Sequence, residues 1–227
     1  MTGRVFSSRR RIRLSDMDAA GRLRLDAVAR YLQDVAGDDV EDAGWGSDEH
    51  VWIVRRTEIE IVSQFAGDER VELATWCCGT GASAAGRRTT LTGDRGGRIE
   101  TETVWIHLDR AGRPLRLTQR FFDVYGPAAE GRKVSTRLAL PDPAADAERR
   151  AWQLRAADVD ILGHVNNAAY WAAVEELLDA PPRRAVLEYR RPLDLGDRVE
   201  LLRAPHEGGF LLGFAAGGDV RAVAAVA

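Results

Sequence analysis

An internal repeat restricts this chain more than any other feature. Residues 15–23 (SDMDAAGRL) resemble residues 157–165 (ADVDILGHV), pairing Asp18, Gly21 and Arg22 with Asp160, Gly163 and His164 at a constant offset of 142 residues. Each copy runs into apolar residues at helical spacing: Leu25, Val28, Ala29, Leu32, Val35 and Ala36 in the first, and Tyr170, Trp171, Val174, Leu177 and Leu178 in the second. Gly44 and Gly46 end the first run, and Pro181-Pro182 stop the second. Strand-like sequence follows both, at Trp52–Ile61 and Ala185–Arg190, then the near-identical turn phrases GDERVEL (67–73) and GDRVEL (196–201). The first copy continues through Arg87–Gly93, a Gly96-Gly97 turn and Ile99–Leu108, and the second through Phe210–Phe214, a turn at Gly217-Gly218-Asp219 and Val220–Val226. A unit of strand, helix and several antiparallel strands is an α+β layer arrangement. Two such units can join edge to edge in one continuous sheet, which leaves fewer exposed strand edges.

This divides the chain into a first repeat at 1–125, a linker at 126–150 rich in Pro, Ala and charge, and a second repeat at 151–227. A short surface helix near Ala144–Arg150 is compatible with the linker. The net charge of −3 supplies no basic field for nucleic acid or an anionic membrane. Lys133 is the only lysine among 32 basic residues, and arginines recur in pairs at Arg55-Arg56, Arg87-Arg88, Arg183-Arg184 and Arg190-Arg191. Such pairs reflect either codon bias or a grip on acidic groups. The two cysteines, Cys77 and Cys78, are neighbours whose side chains leave a strand on opposite faces, so they read as reduced thiols. With no apolar signal core between Met1 and Arg13 and no membrane-length apolar run, a cytoplasmic protein is expected.

Residues 160–167 (DILGHVNN) carry the chemistry, at the mouth of the second helix. Unpaired amides and the helix dipole there favour a developing oxyanion. Gly163 lets a substrate approach the backbone, and Asn166 or Asn167 caps the helix. Asp160 supplies a carboxylate as base or nucleophile, and His164 orients water, pairs with Asp160 or holds substrate. Thioesters suit this small set of groups, because a thiol of pKa about 8.5 leaves without strong acid assistance.

The phrase Asp160-x-x-Gly163-His164-Val165-Asn166-Asn167-x-x-Tyr170 resembles the signature of hot-dog-fold thioesterases. The wider chain, from about Phe6 to Leu201, resembles the acyl-acyl-carrier-protein thioesterases, with further support in residues 31–36 (YLQDVA), 51–56 (VWIVRR) and 188–191 (EYRR). The resemblance implies a tandem (double) hot-dog fold, with two long helices packed on a shared antiparallel sheet. It implies hydrolysis of fatty acyl-ACP to free acid and holo-ACP, with catalytic Asp160, His164 and Asn166. Gly163, Asn167 and Tyr170 would bind substrate or oxyanion. No cofactor or metal is implied. The partner is an acyl carrier protein or CoA thioester, with no nucleic acid or membrane, and either a monomer or a homodimer fits the duplication. The chain departs from the plant pattern at Leu162, where an Asn is usual, and at Pro192 and Leu193, where a Glu and a Cys follow the EYRR stretch. Those departures keep an acyl-CoA thioesterase, a non-catalytic acyl-binding module and a hot-dog dehydratase open. Glu188 either replaces the missing carboxylate or pairs with arginine. In the first repeat Arg22, Arg24 and Leu25 replace the histidine and the two asparagines, so one site per chain is expected. Trp45, Trp52 and Trp105 read as acyl-tunnel lining or as ordinary core.

Overall fold

The computed structural model describes residues 3–45 and 51–227. After strand β1 (Val5–Arg11), the first apolar run forms helix α1 (Leu25–Asp42), which buries Leu25, Val28, Ala29, Leu32 and Val35 along one stripe. Gly46, read as part of the stop signal, lies outside the described residues. Strands β2 (Val51–Ser63), β3 (Arg70–Thr80), β4 (Ala84–Gly93) and β5 (Arg98–Leu108) follow. On β3 the alternation is visible residue by residue, with Val71, Leu73, Thr75 and Cys77 buried.

The second half opens with β6 (Glu148–Trp152); after it come a helix at Asn167–Glu175 and strands β7 (Arg184–Tyr189), β8 (Val199–His206), β9 (Gly209–Ala216) and β10 (Asp219–Val226). The ten strands form one antiparallel sheet in the order β1-β3-β4-β5-β2-β7-β10-β9-β8-β6. The halves join where β2 pairs with β7, from Arg56 opposite Glu188 to Glu60 opposite Arg184. This is the edge-to-edge junction expected from the repeat. The outer strands β1 and β6 carry Arg9–Arg11 and Arg149-Arg150, charges that discourage further strand addition. A helix embraced by a sheet, twice over, is the tandem hot-dog arrangement.

Three expectations need correction. A helix at Gln119–Ala129, here α2, went unread: it begins in the last residues of the first repeat and runs into the stretch read as linker. Thr118 caps it, accepting from Phe121 N at 3.2 Å, and Phe121, Tyr125 and Ala129 are buried at i, i+4 and i+8. At 144–150 there is a turn and the start of β6 rather than a helix, because Arg149–Leu202 and Arg150–Leu201 pair in the sheet. The second repeat's helix, α3 (Asn167–Glu175), has 9 residues against 18 in α1, so it is not long. Leu177 and Leu178 leave it in turns that lead to Pro181.

The two helices pack side by side. Leu25 N at the start of α1 donates to Glu175 Oε2 at the end of α3 at 2.8 Å, so they run antiparallel. Counting eight residues in from each of these ends reaches Gln33 and Asn167. At about 1.5 Å per residue both lie about 12 Å along, so Gln33 is at about the level of the amino end of α3.

Glu188, 1 % exposed on β7, holds the linker down: its carboxylate accepts Ala139 N at 2.9 Å and Leu140 N at 3.0 Å. Its partner is backbone rather than an arginine, and Arg55 beside it donates to Tyr189 O at 2.9 Å. Glu188→Ala should cost about 2 kcal/mol through lost charge-assisted hydrogen bonds. It should also expose the 134–142 stretch to protease. Limited proteolysis and urea denaturation measure both, and a wild-type cleavage pattern would remove the linker-anchoring role.

Most of the paired arginines are engaged within the chain: Arg55 donates to Tyr189 O, and Arg87 binds Asp39, Arg88 Glu102, Arg184 Glu58, Arg190 Asp142 and Arg191 Asp219. Cys77 and Cys78 are free thiols, and burial pushes Cys78 up to about 12. Among the described residues no helix is long and apolar enough to cross a membrane.

Candidate active site

The segment before α3 is a tight loop pinned by its own backbone. Asp160 N donates to His164 O at 3.0 Å, Gly163 N to Asp160 O at 3.0 Å, and Asn166 N to Asp158 O at 2.7 Å. Val165 N reaches across to Leu193 O at 2.8 Å. Gly163 has φ +81°, which a side chain would strain, and a Cβ there would meet nothing within 4 Å. Glycine is therefore needed to close the turn, not to relieve crowding.

Within this frame Asp160 is half-buried, and its carboxylate accepts Leu162 N at 2.9 Å and Asn166 Nδ2 at 3.2 Å. Asn166 is the helix cap, accepting Ala168 N at 2.9 Å through its side chain. One side chain thus ties the carboxylate to the amino end of α3. Ala169 N goes to Asn166 O at 2.9 Å, which leaves the Asn167 amide as the first-turn donor not used by the cap or the loop among the described residues. The Gly163 amide is spent on the turn, so its contribution to an oxyanion site is conformational.

His164 stands at the exposed rim and pairs with Asp194, Nδ1 to Oδ1 at 2.7 Å, rather than with Asp160. Asp194 escaped the sequence reading because it lies 30 residues away; the DLGD phrase at 194–197 that contains it reads first as a turn. Tyr170 is also corrected. It is 2 % exposed and packs against Trp152, Tyr189 and Phe214 with ring centroids 5.1–5.8 Å apart, so it is core beneath the loop. Burial pushes its hydroxyl far up, keeping it protonated. Leu162 is exposed at the turn tip, whereas Leu193 is fully buried and serves the loop through its carbonyl.

The first repeat builds the same loop and closes it. Asp18 N donates to Arg22 O at 2.8 Å and Gly21 N to Asp18 O at 3.0 Å. The Asp18 carboxylate is taken by the Arg22 side chain at 2.7 Å. Burial alone would raise this carboxyl, but the amide and guanidinium of Arg22 and the amide of Ala20 hold it below its usual range. Glu175 occupies the mouth of α1 by accepting Leu25 N, in a cavity of only about 150 Å³. Burial raises the Glu175 carboxyl.

A larger cavity of about 370 Å³ lies between α1, α2 and strands β2–β5. That size falls within the roughly 300–1,000 Å³ of small-molecule sites. Trp45, Trp52 and Trp105 all line it, so they are wall rather than sealed core, with Phe121 and Tyr125 of α2 and Gln33 of α1. Its lining comes from the first half of the chain, and Asp160, His164 and Asn166 do not contribute to it. Gln33, on this wall, lies at about the axial level of the amino end of α3. The sequence reading named the three tryptophans but not Phe121 and Tyr125, because α2 was missed.

Two family models match, the acyl-ACP thioesterase N-terminal domain over residues 3–125 and the acyl-ACP thioesterase C-terminal domain over residues 142–214. An uncharacterized protein of Mycobacterium tuberculosis is 34 % identical over 229 residues, covering 98 % of this chain and 92 % of that protein. The chloroplastic oleoyl-acyl carrier protein thioesterase of Coriandrum sativum is 25 % identical over 217 residues, covering 80 % of this chain and 57 % of the plant protein. Among solved structures, an acyl-ACP thioesterase from Bacteroides thetaiotaomicron superposes with a TM-score of 0.85 at 18 % identity, covering 98 % of this chain and 96 % of that one. That last likeness carries the fold.

Proposed function

Because the chain belongs to the acyl-ACP thioesterase family and is a thioester hydrolase, we propose that it releases free fatty acids from acyl-ACP in fatty acid biosynthesis, using one site at the mouth of α3. The observation that carries this reading is the clamp between Asp160 and the helix cap Asn166, which brings a carboxylate to the positive end of a helix. Asp160 takes a proton from water, and the water oxygen bonds to the thioester carbonyl carbon. The Asn167 amide stabilises the oxyanion, and the C–S bond breaks as the departing sulfur takes the proton from Asp160, releasing acid and thiol and restoring the carboxylate. The acyl chain extends past Gln33 into the tryptophan-lined cavity. Ion pairing of Asp18 with Arg22 and the Glu175 cap at α1 support a single working site. A cytoplasmic setting fits this substrate.

With the Asp194 carboxylate as acceptor, Nδ1 carries a proton, which leaves Nε2 as the ring atom available to the substrate. His164→Ala should lower kcat/KM by tenfold or more, and Asp194→Asn by less, since the ring survives but loses its orienting partner. Equal wild-type values in both would remove the pair from the site. The reading as a whole is tested by thiol release from matched acyl-ACP and acyl-CoA substrates. Faster release from acyl-ACP is expected, and turnover of acyl-CoA alone would replace the carrier protein as the partner.

A further inference from the structure

The cavity is apolar in its walls but not in its hydrogen-bonding demand. Two of its lining groups, Trp105 Nε1 and Trp45 Nε1, are buried and have no hydrogen-bond partner among the described residues, and Tyr125 Oη, beside the Arg87 guanidinium, is buried with no acceptor for its own proton. Each such group forgoes the bond it had to water, and native interiors hold few of them. Indole N–H is a donor only. The tyrosine is 4 % exposed, and burial and the nearby Asp39 push its hydroxyl up, so it too carries a proton to donate. The sulfur of Cys77, another lining group, is directed to Gly79 O at 3.5 Å. The unmet demand is therefore chiefly for an acceptor: three N–H or O–H protons have none.

Charge decides what kind of acceptor fits. Arg87 lines the same cavity, but Asp39 binds it at 2.7 Å and also binds Arg4 at 2.7 Å, while Arg4 reaches Asp42 at 2.6 Å. Two guanidiniums and two carboxylates cancel. A second anion would enter beside the buried Asp39 without a free cation to meet it, whereas a neutral oxygen meets the donors at no such cost. A straight hydrocarbon chain would leave all three donors as they are.

We propose that the cavity selects acyl chains bearing a neutral oxygen, a hydroxyl or keto group, which accepts hydrogen bonds from Tyr125, Trp105 and Trp45. A hydroxyl can return its own proton to Tyr125 Oη, which also accepts. This rests on the reading of the cavity as the acyl-chain site of a thioesterase, and the test keeps the two apart. Calorimetric titration of the full chain with dodecanoic acid and a positional series of its hydroxy and keto derivatives should find at least one oxygenated derivative bound about tenfold more tightly than the parent acid. Tyr125→Phe and Trp105→Phe, each checked by circular dichroism, should shrink that ratio toward one. Tighter or equal binding of plain dodecanoic acid against every derivative overturns the proposal, as does binding of none of them. A preference unchanged in both variants also overturns it. If a variant fails to fold, the wild-type ratio decides. Thiol release from the corresponding CoA thioesters separates the premises: hydrolysis without preference for the oxygenated chains sinks the selection and spares the thioesterase. Selective binding with no thiol release from any thioester keeps the selection and sinks the hydrolytic site.

Discussion

Asp160→Asn is expected to retain less than about a hundredth of wild-type thiol release, because general base catalysis by a positioned carboxylate contributes roughly 10²–10⁴-fold. The substitution keeps the volume of the side chain and the acceptor that Leu162 N uses at 2.9 Å. It removes the charge and the proton-accepting oxygen. The new amide would face Asn166 Nδ2, a donor against a donor, and Asn166 cannot turn over without giving up Ala168 N. That conflict sits on a half-buried loop and should cost no more than about 1 kcal/mol, so the melting temperature should move by only a few degrees. Asp18→Asn is the matched control. Its carboxylate is already committed to Arg22, and thiol release should stay near wild type. Full turnover in Asp160→Asn would refute the site; equal losses in both variants would mean that the duplicated loop matters for folding rather than chemistry.

That contrast between two similar loops was partly legible in the residues. The offset of 142 set the two helix mouths in register, and the loss of His and Asn in the first copy marked it as degenerate. The residues did not show how the degenerate copy is closed, since Glu175 comes from the other helix and meets Leu25 only in three dimensions. The sheet was read well because its strands alternate and its turns carry Gly-Asp or Gly-Gly, both local signals. Helix α2 was lost because Gly126 and Pro127 made its second half look like linker, although the cap at Thr118 and the apolar spacing of Phe121, Val124 and Tyr125 were present. Tyr170 was misplaced for a related reason. A motif fixes spacing along the chain, but the face of a helix that turns inward depends on what packs there, in this case Trp152 and Phe214.

The largest loss of stability should come from Asp39→Ala, at about 3–5 kcal/mol, the range for breaking a buried ion pair on one side. Asp39 is 1 % exposed on α1 and accepts from Arg4 Nε and Arg87, both at 2.7 Å. Arg4 keeps Asp42 and can turn toward water, so it loses little. Arg87 has no such exit: its side chain is mostly buried between α1 and β3, it also donates to Thr75 Oγ1 at 3.2 Å, and the Tyr125 ring lies 5.7 Å away. Taking the carboxylate away leaves a guanidinium charge in an interior that cannot solvate it. At about 2–4 °C per kcal/mol for a chain of this size, the melting temperature should fall by roughly 6–20 °C. The double variant Asp39→Ala/Arg87→Met tests the cause. If the uncompensated charge is what costs, removing it should restore much of the loss, since apolar replacement of a buried pair is often neutral or better. If the double variant is as unstable as the single one in urea denaturation, the cost lies in packing of the α1 carboxyl-terminal half, and the ion pair is incidental.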